Sequence, residues 1–152
     1  MPALPEPAAT VEKVDTSYLE TLIGYNARRA ALRVIDLFSR RMAVYDLRPV
    51  DFSVLSLIGH NPGITSRQLC SALNILPPNL VGKISSMEKR ALLARKPHPQ
   101  DRRAVGLHLT ELGIELMSDA ERIALDLESE ATSRLSAAEK KTLMRLLQKI
   151  YL

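Results

Sequence analysis

Thr65-Ser-Arg-Gln-Leu-Cys-Ser-Ala-Leu-Asn-Ile-Leu-Pro-Pro-Asn-Leu-Val-Gly-Lys-Ile-Ser-Ser-Met-Glu-Lys-Arg90 is the stretch on which the fold turns. Thr65 and Gln68 have capping-box spacing: the hydroxyl accepts from the amide three residues on while the longer side chain reaches back. They open a short helix with Leu69, Cys70 and Leu73 on its apolar side. Asn74-Ile75-Leu76 then makes a turn, and Pro77-Pro78 suits the first turn of a second helix. Leu80, Ile84, Met87 and Ala91 share one face of that helix. At 100° per residue the opposite face carries Pro78, Gly82, Ser85 and Lys89, with Asn79, Lys83 and Ser86 along one flank. A surface this small, polar and basic suits a groove better than a core.

Working outward, Pro49 fits the first turn of a preceding helix with Phe52, Val54, Leu55, Leu57 and Ile58, which Asn61-Pro62-Gly63 stops. Downstream, Leu92 to Lys96 and Ala104 to Leu109 read as two short strands. The second should alternate Val105, Leu107 and Leu109 inward with Gly106 and His108 outward. Between them lies Pro97-His-Pro-Gln-Asp-Arg-Arg103, a hairpin loop tipped with two arginines. Helix, tight turn, helix and basic hairpin make a winged helix-turn-helix. In that arrangement the first helix braces across a nucleic-acid backbone while the second offers its N-terminal residues to base edges. Its N-terminal amides point positive partial charge at phosphates, and the arginine-tipped wing reaches the neighbouring minor groove.

The flanks have a different texture. Pro2, Pro5 and Pro7 mark residues 1–14 as a Pro/Ala tail expected to be disordered. No proline interrupts residues 8–48 or 100–152, which permits long helices. Leu19, Leu22, Ile23, Ala27, Ala30, Val34, Leu37, Phe38 and Met42 trace one apolar stripe, predicting a helix of roughly seven turns. Arg29, Arg33, Asp36 and Arg40 face away from it at ion-pair spacing. Thr110 is a candidate N-cap for a helix carrying Ile114, Met117, Ile123 and Leu127. Ser136-Ala-Ala-Glu139 is another capping box, ahead of Leu143, Leu146, Leu147 and Ile150 as a buried face. These stripes are too extended to be covered by a small middle domain, which implies a homodimer. The predicted organisation is a tail (1–14), an N-terminal dimerisation helix (15–48), a winged helix-turn-helix DNA-binding domain (49–110) and C-terminal dimerisation helices (111–152). The fold class is α+β, mostly α.

The net charge of +4 is concentrated in the middle: residues 49–110 hold eight basic and three acidic side chains. Such a concentration suggests a polyanion partner, with an ordinary basic surface as the alternative. Aromatic residues are 4% of the chain and Trp is absent, which disfavours stacking platforms for single strands. One cysteine permits neither an internal disulfide nor a Cys-based zinc site, and the three histidines lack ligand spacing. No metal or cofactor is expected. Cys70, between Leu69 and Leu73, reads as a small hydrophobe rather than a redox sensor. No signal peptide or membrane span is legible, so a cytoplasmic location is expected. No catalytic constellation is visible, and the six glycines are unclustered, so an enzyme is not expected.

Asn61-Pro-Gly-Ile-Thr65, Pro77-Pro-Asn-Leu-Val-Gly82, Met87-Glu-Lys-Arg-Ala-Leu-Leu-Ala-Arg95, Pro99-Gln-Asp-Arg-Arg-Ala104 and Leu109-Thr-Glu-Leu-Gly113 together resemble the MarR-type transcription regulators. The resemblance runs from about Leu47 to Gly113. It implies a homodimer with interlocked terminal helices and two winged domains on a palindromic operator. It further implies repression relieved by a small aromatic, acidic or thioester-linked ligand. Residue by residue, Asp101 and Arg103 match the wing pair in which a carboxylate holds a guanidinium, with Arg102 a second groove or phosphate contact. Asn79, Val81, Ser85 and Ser86 fall where the family reads bases, and Thr65, Ser66, Arg67 and Arg95 where it contacts phosphate. Pro78 and Lys83 complete the expected DNA-binding set. Two departures stand out: Gly82 replaces a frequent arginine, and Ala91 replaces the usual glycine after the recognition helix, so that turn could form differently. Arg28, Arg29 and Arg33, with Tyr25 nearby, are candidate anchors for an anionic effector, against ordinary surface charge. His60 is a candidate ligand contact or a partner of its helix's C-terminal dipole. The alternatives are a DNA-binding or protein-adaptor homodimer without effector control.

Overall fold

The computed structural model describes residues 11–152, so most of the expected tail lies outside the described residues. In chain order the elements are α1 (Ser17–Glu20), α2 (Ile23–Met42), a 3-10 turn (Ala43–Tyr45), α3 (Pro49–His60), α4 (Ser66–Leu73), α5 (Pro77–Lys89), β1 (Leu93–Pro97), β2 (Val105–Leu109), α6 (Glu111–Ala131) and α7 (Ala137–Tyr151). The described chain divides into two compact units, the first ending at Leu32 and the second running Arg33–Leu152.

In the first unit, the helix expected to run unbroken from Leu19 is interrupted at Thr21-Leu22. The Thr21 hydroxyl donates to Tyr18 O at 2.7 Å, and the Asn26 amide donates to Glu20 O and Leu22 O, both at 2.8 Å. Side chains that bond nearby carbonyls offer the backbone an alternative to the helical ladder. Apolar periodicity does not report that competition.

The second unit holds the core. Met42, Val54, Leu55, Ile58, Leu69, Leu80, Ile84 and Leu107 are buried together with Met117 and Leu127. Phe38 meets Phe52 edge to face, with ring centroids 5.4 Å apart. Local signals set most element ends. Thr65 Oγ1 accepts from Gln68 N while Gln68 Oε1 accepts from Thr65 N, closing the capping box of α4. Asn74 ends α4 in the left-handed region (φ 50°), with Ile75 N on Cys70 O. Thr110 Oγ1 caps α6 through Gly113 N, and Ser136 with Glu139 boxes the start of α7. The Ser136 backbone N–H, followed by its hydroxyl, holds the Glu139 carboxyl below its ordinary value.

The turn after α5 keeps the left-handed shape that glycine would favour. Ala91 sits at φ 57° while Ala91 N reaches Glu88 O and Leu92 N reaches Met87 O, a Schellman closure. A Cβ in this region costs about 1 kcal/mol or slightly more. Ala91→Gly is therefore expected to stabilise the fold by up to about 1 kcal/mol, because glycine's extra unfolded-state freedom offsets part of the relief. A denaturation midpoint that falls instead would contradict that account of the turn.

β1 and β2 pair antiparallel, with Leu93 opposite Leu109 and Pro97 opposite Val105. The expected alternation on β2 is corrected here: Val105 is exposed while Gly106 and Leu107 are buried. The cause is a third segment. Gly63 N donates to Leu107 O and Leu107 N to Ile64 O, so the loop before α4 lies against β2. Gly106 faces that loop, where an added Cβ would stand 3.0 Å from Gly63 O.

The apolar residues of α7 expected to form a buried face are uncovered within the chain: Leu143, Leu146, Leu147 and Ile150 are all exposed. Ile114, counted above with the inward residues of α6, is exposed as well. Among the described residues, no helix is long and apolar enough to cross a membrane, and no cluster of His, Cys, Asp and Glu could hold a metal.

Candidate nucleic-acid interface

The eight cations between Pro49 and Thr110 divide in the structure into committed and free. Lys83 Nζ lies 2.9 Å from Asp51 Oδ1, with both side chains largely covered. Asp51 also accepts from Arg48 N at the start of α3, so one carboxylate ties α3 to α5. Lys83, expected on DNA, is thus engaged within the protein as a strut between α3 and α5. The Arg90 guanidinium donates to Tyr45 O and Asp46 O. Arg95, assigned to phosphate, pairs with Glu88 at 3.1 Å, and both remain exposed enough for water or a phosphate to compete. Arg67, Lys89, Lys96, Arg102 and Arg103 have exposed side chains with no ionic partner among the described residues.

At the α4 end, the Thr65 side chain is spent on its capping box, leaving Ser66 and Arg67 exposed beside it. Arg67, Ser66 and Cys70 also line an apolar hollow of about 280 Å³ against Pro77, Leu80, Val81 and Ile84 of α5. Cys70 is a free, half-buried thiol packed against the core. The start of α5 departs from expectation. Pro77 and Pro78 have no N–H to offer, and Asn79 N and Leu80 N both turn back to Leu76 O. No amide within the first turn of the helix itself is free to receive a phosphate. Pro78, Asn79, Val81, Gly82 and Ser86 are exposed on this end of the helix, and Ser85 is half-buried.

The wing is organised by backbone contacts that sequence reasoning assigned differently. Asp101 Oδ1 accepts from Arg103 N at 2.9 Å, whereas the guanidinium was the expected partner. His98 Nδ1 accepts from both Gln100 N and Asp101 N at 3.2 Å, which places the imidazole proton on Nε2. His98 N donates to Ala104 O, closing the loop. Arg102 and Arg103 consequently stand on a braced turn with free side chains.

The candidate effector residues fall apart. Tyr25 and Arg29 share a polar, open hollow of about 660 Å³ with Thr16, Glu20 and Asn26. Arg28 does not line it. His60 Nε2 instead lies 2.9 Å from Glu121 Oε1, which also accepts from Ser56 Oγ at 2.7 Å, joining α3 to α6. The 61-residue separation of His60 from Glu121 left no local signal in the sequence.

Residues 45–104 match the family model described as MarR family. The solved transcriptional repressor CouR, bound to a 23-mer DNA duplex, is 32% identical, with 93% of this chain and 100% of that chain covered at a TM-score of 0.86. The chain belongs to the MarR family. MarR-family members are transcription regulators rather than enzymes, and dimerisation is typical of them. A second CouR structure, bound to p-coumaroyl-CoA, matches over 91% of this chain and 97% of its own at a TM-score of 0.78. A cysteine-to-serine mutant of Escherichia coli MarR, in complex with operator DNA, is 25% identical over 90% of this chain and 99% of its own, at a TM-score of 0.80. A transcriptional regulatory protein assigned to the hcr operon of Thauera aromatica is 28% identical over 130 residues, which is 85% of this chain and 78% of its own. The MarR-family winged helix-turn-helix read from the sequence is the fold observed.

Proposed function

We propose that the chain is a homodimeric repressor that binds a palindromic duplex operator and is released by an aromatic acid or its acyl thioester. The observation that carries this reading is the pair of uncommitted guanidinium groups, Arg102 and Arg103, on a wing braced by His98 and Asp101. Free cations on a fixed turn suit the narrow minor groove, where negative potential concentrates. Arg67, Lys89 and Lys96 add phosphate-directed charge around α4, α5 and β1, and CouR and MarR bind DNA through the same fold. The uncovered apolar face of α7 supplies the dimer contact, and two-fold symmetry in the protein calls for two-fold symmetry in the operator.

The effector part rests on the hollow at Tyr25 and Arg29, which offers a guanidinium and a phenol to an anionic aromatic ligand, and on CouR's complex with an acyl-CoA thioester. Binding to fragmented genomic DNA across a salt series tests the whole reading. Non-specific binding should collapse, with log affinity falling by about 0.9 per neutralised phosphate for each decade of salt. A two-fold symmetric site should survive. Uniform loss, or equal binding to single strands, would leave a general DNA binder or an adaptor. Adding p-coumaroyl-CoA or simple aromatic carboxylates should then release the surviving fragment. Unaltered affinity at saturation would remove those compounds as effectors.

A further inference from the structure

The end of α5 that would enter the major groove carries no free cation. Lys83, the one basic residue on its first three turns, is held by Asp51 at 2.9 Å. Lys89 lies on the last turn, about 16 Å along the axis from Pro78 at 1.5 Å per residue. What the first turns present is Pro78, Asn79, Val81 (61% exposed), Gly82 and Ser86. Gly82 is unusual in its setting. A glycine inside a helix is about 1 kcal/mol worse than alanine, and a Cβ added there would meet nothing within 4 Å. The protein's own packing therefore does not require the missing side chain. A surface that comes close to the backbone from outside would account for it.

Base edges in the major groove differ in what they ask for. Guanine offers two acceptors that are met most often by a bidentate arginine or by lysine. Thymine offers a methyl group that takes apolar contact, and adenine a donor and acceptor that match an Asn side chain. We propose that α5 reads A·T pairs by their methyl edge: Val81 and the bare backbone at Gly82 pack against thymine methyl groups, and Asn79 pairs with adenine. This inference rests on the DNA-binding reading above. Because the two prolines and the back-turned amides of Asn79 and Leu80 leave no free amide within the first turn of α5, the helix end seats on bases rather than being held at a phosphate.

The test is selection by the full-length protein from a pool of randomised duplexes, followed by replacement of single thymines with deoxyuridine in the selected half-site. Half-sites rich in A·T under α5 are expected. Loss of one buried methyl should weaken binding about fourfold, the ratio corresponding to ~0.8 kcal/mol per buried methylene-sized group. In Val81→Ala, an exposed site that leaves the core intact, the deoxyuridine penalty should shrink at one thymine and persist elsewhere. Gly82→Arg, which has open space for its side chain, should shift selection toward guanine. Half-sites that require guanine under α5 in the wild-type protein, or indifference to every deoxyuridine, would overturn the inference while leaving duplex recognition standing. Failure to enrich any duplex would overturn the DNA-binding reading itself, and this inference with it.

Discussion

Removing both wing arginines (R102A/R103A) is expected to weaken operator binding at least about thirtyfold, from about 1–3 kcal/mol per arginine. The loss should come without a change in dimer mass or melting temperature. Both side chains are exposed, and neither forms an ion pair among the described residues, so truncation leaves no buried group unsatisfied. The brace of the turn also survives, because Asp101 holds the Arg103 backbone N–H while His98 holds the amides of Gln100 and Asp101. Fluorescence anisotropy on a selected duplex reads the effect, and light scattering with thermal denaturation supplies the controls. Affinity within twofold of wild type would remove the wing from the interface. Loss of melting temperature together with affinity would make the arginines structural.

Gly113→Ala should be the most damaging single methyl in the second unit. A Cβ at Gly113 would fall inside the van der Waals envelope of Leu92 O and stand 3.4 Å from Leu109 Cβ. The obstacle is backbone, and it is already engaged: Leu92 O accepts from Thr110 N at 3.1 Å, and the Thr110 hydroxyl donates to Ala91 O at 2.5 Å. The start of α6 is thus bonded to the start of β1 on both sides of the intrusion. A loss of about 3 kcal/mol or more is expected, above the ordinary range for overpacking because no side chain can move aside. At this chain length that lowers the melting temperature by on the order of 10 °C. Gly24→Ala is the contrast, since its Cβ meets nothing within 4 Å and should be neutral or mildly stabilising. If Gly113→Ala melts with the wild type, the approach of α6 to Leu92 is looser than described.

These two glycines illustrate which parts of the structure were readable from residues alone. Capping boxes at Thr65–Gln68 and Ser136–Glu139 close over three residues, and the prolines at 49 and 77 open helices where they stand. Such signals are local, so the helix-turn-helix and its wing were legible. Partners chosen across the fold were not. Asp51 takes Lys83 from 32 positions away, and Glu121 takes Ser56 and His60 from more than 60. The inversion of Val105 and Gly106 depended on Gly63 and Ile64 arriving at the far edge of β2. The wing residues were legible by position, yet the contact made by Asp101 was a backbone one that residue identity alone does not distinguish from an ion pair.

The loop that brings Ile64 to Leu107 has a mechanical meaning. It stitches the entry to α4 directly to the strand that supports the wing, while the close approach of Gly106 to Gly63 leaves no slack between them. Brace helix and wing are therefore parts of one stiff head with no joint inside it. A stiff head passes on a displacement applied at its base instead of absorbing it. A small tilt imposed from outside would sweep the wing tip and the reading helix together, so grip on both grooves would be kept or lost as a unit.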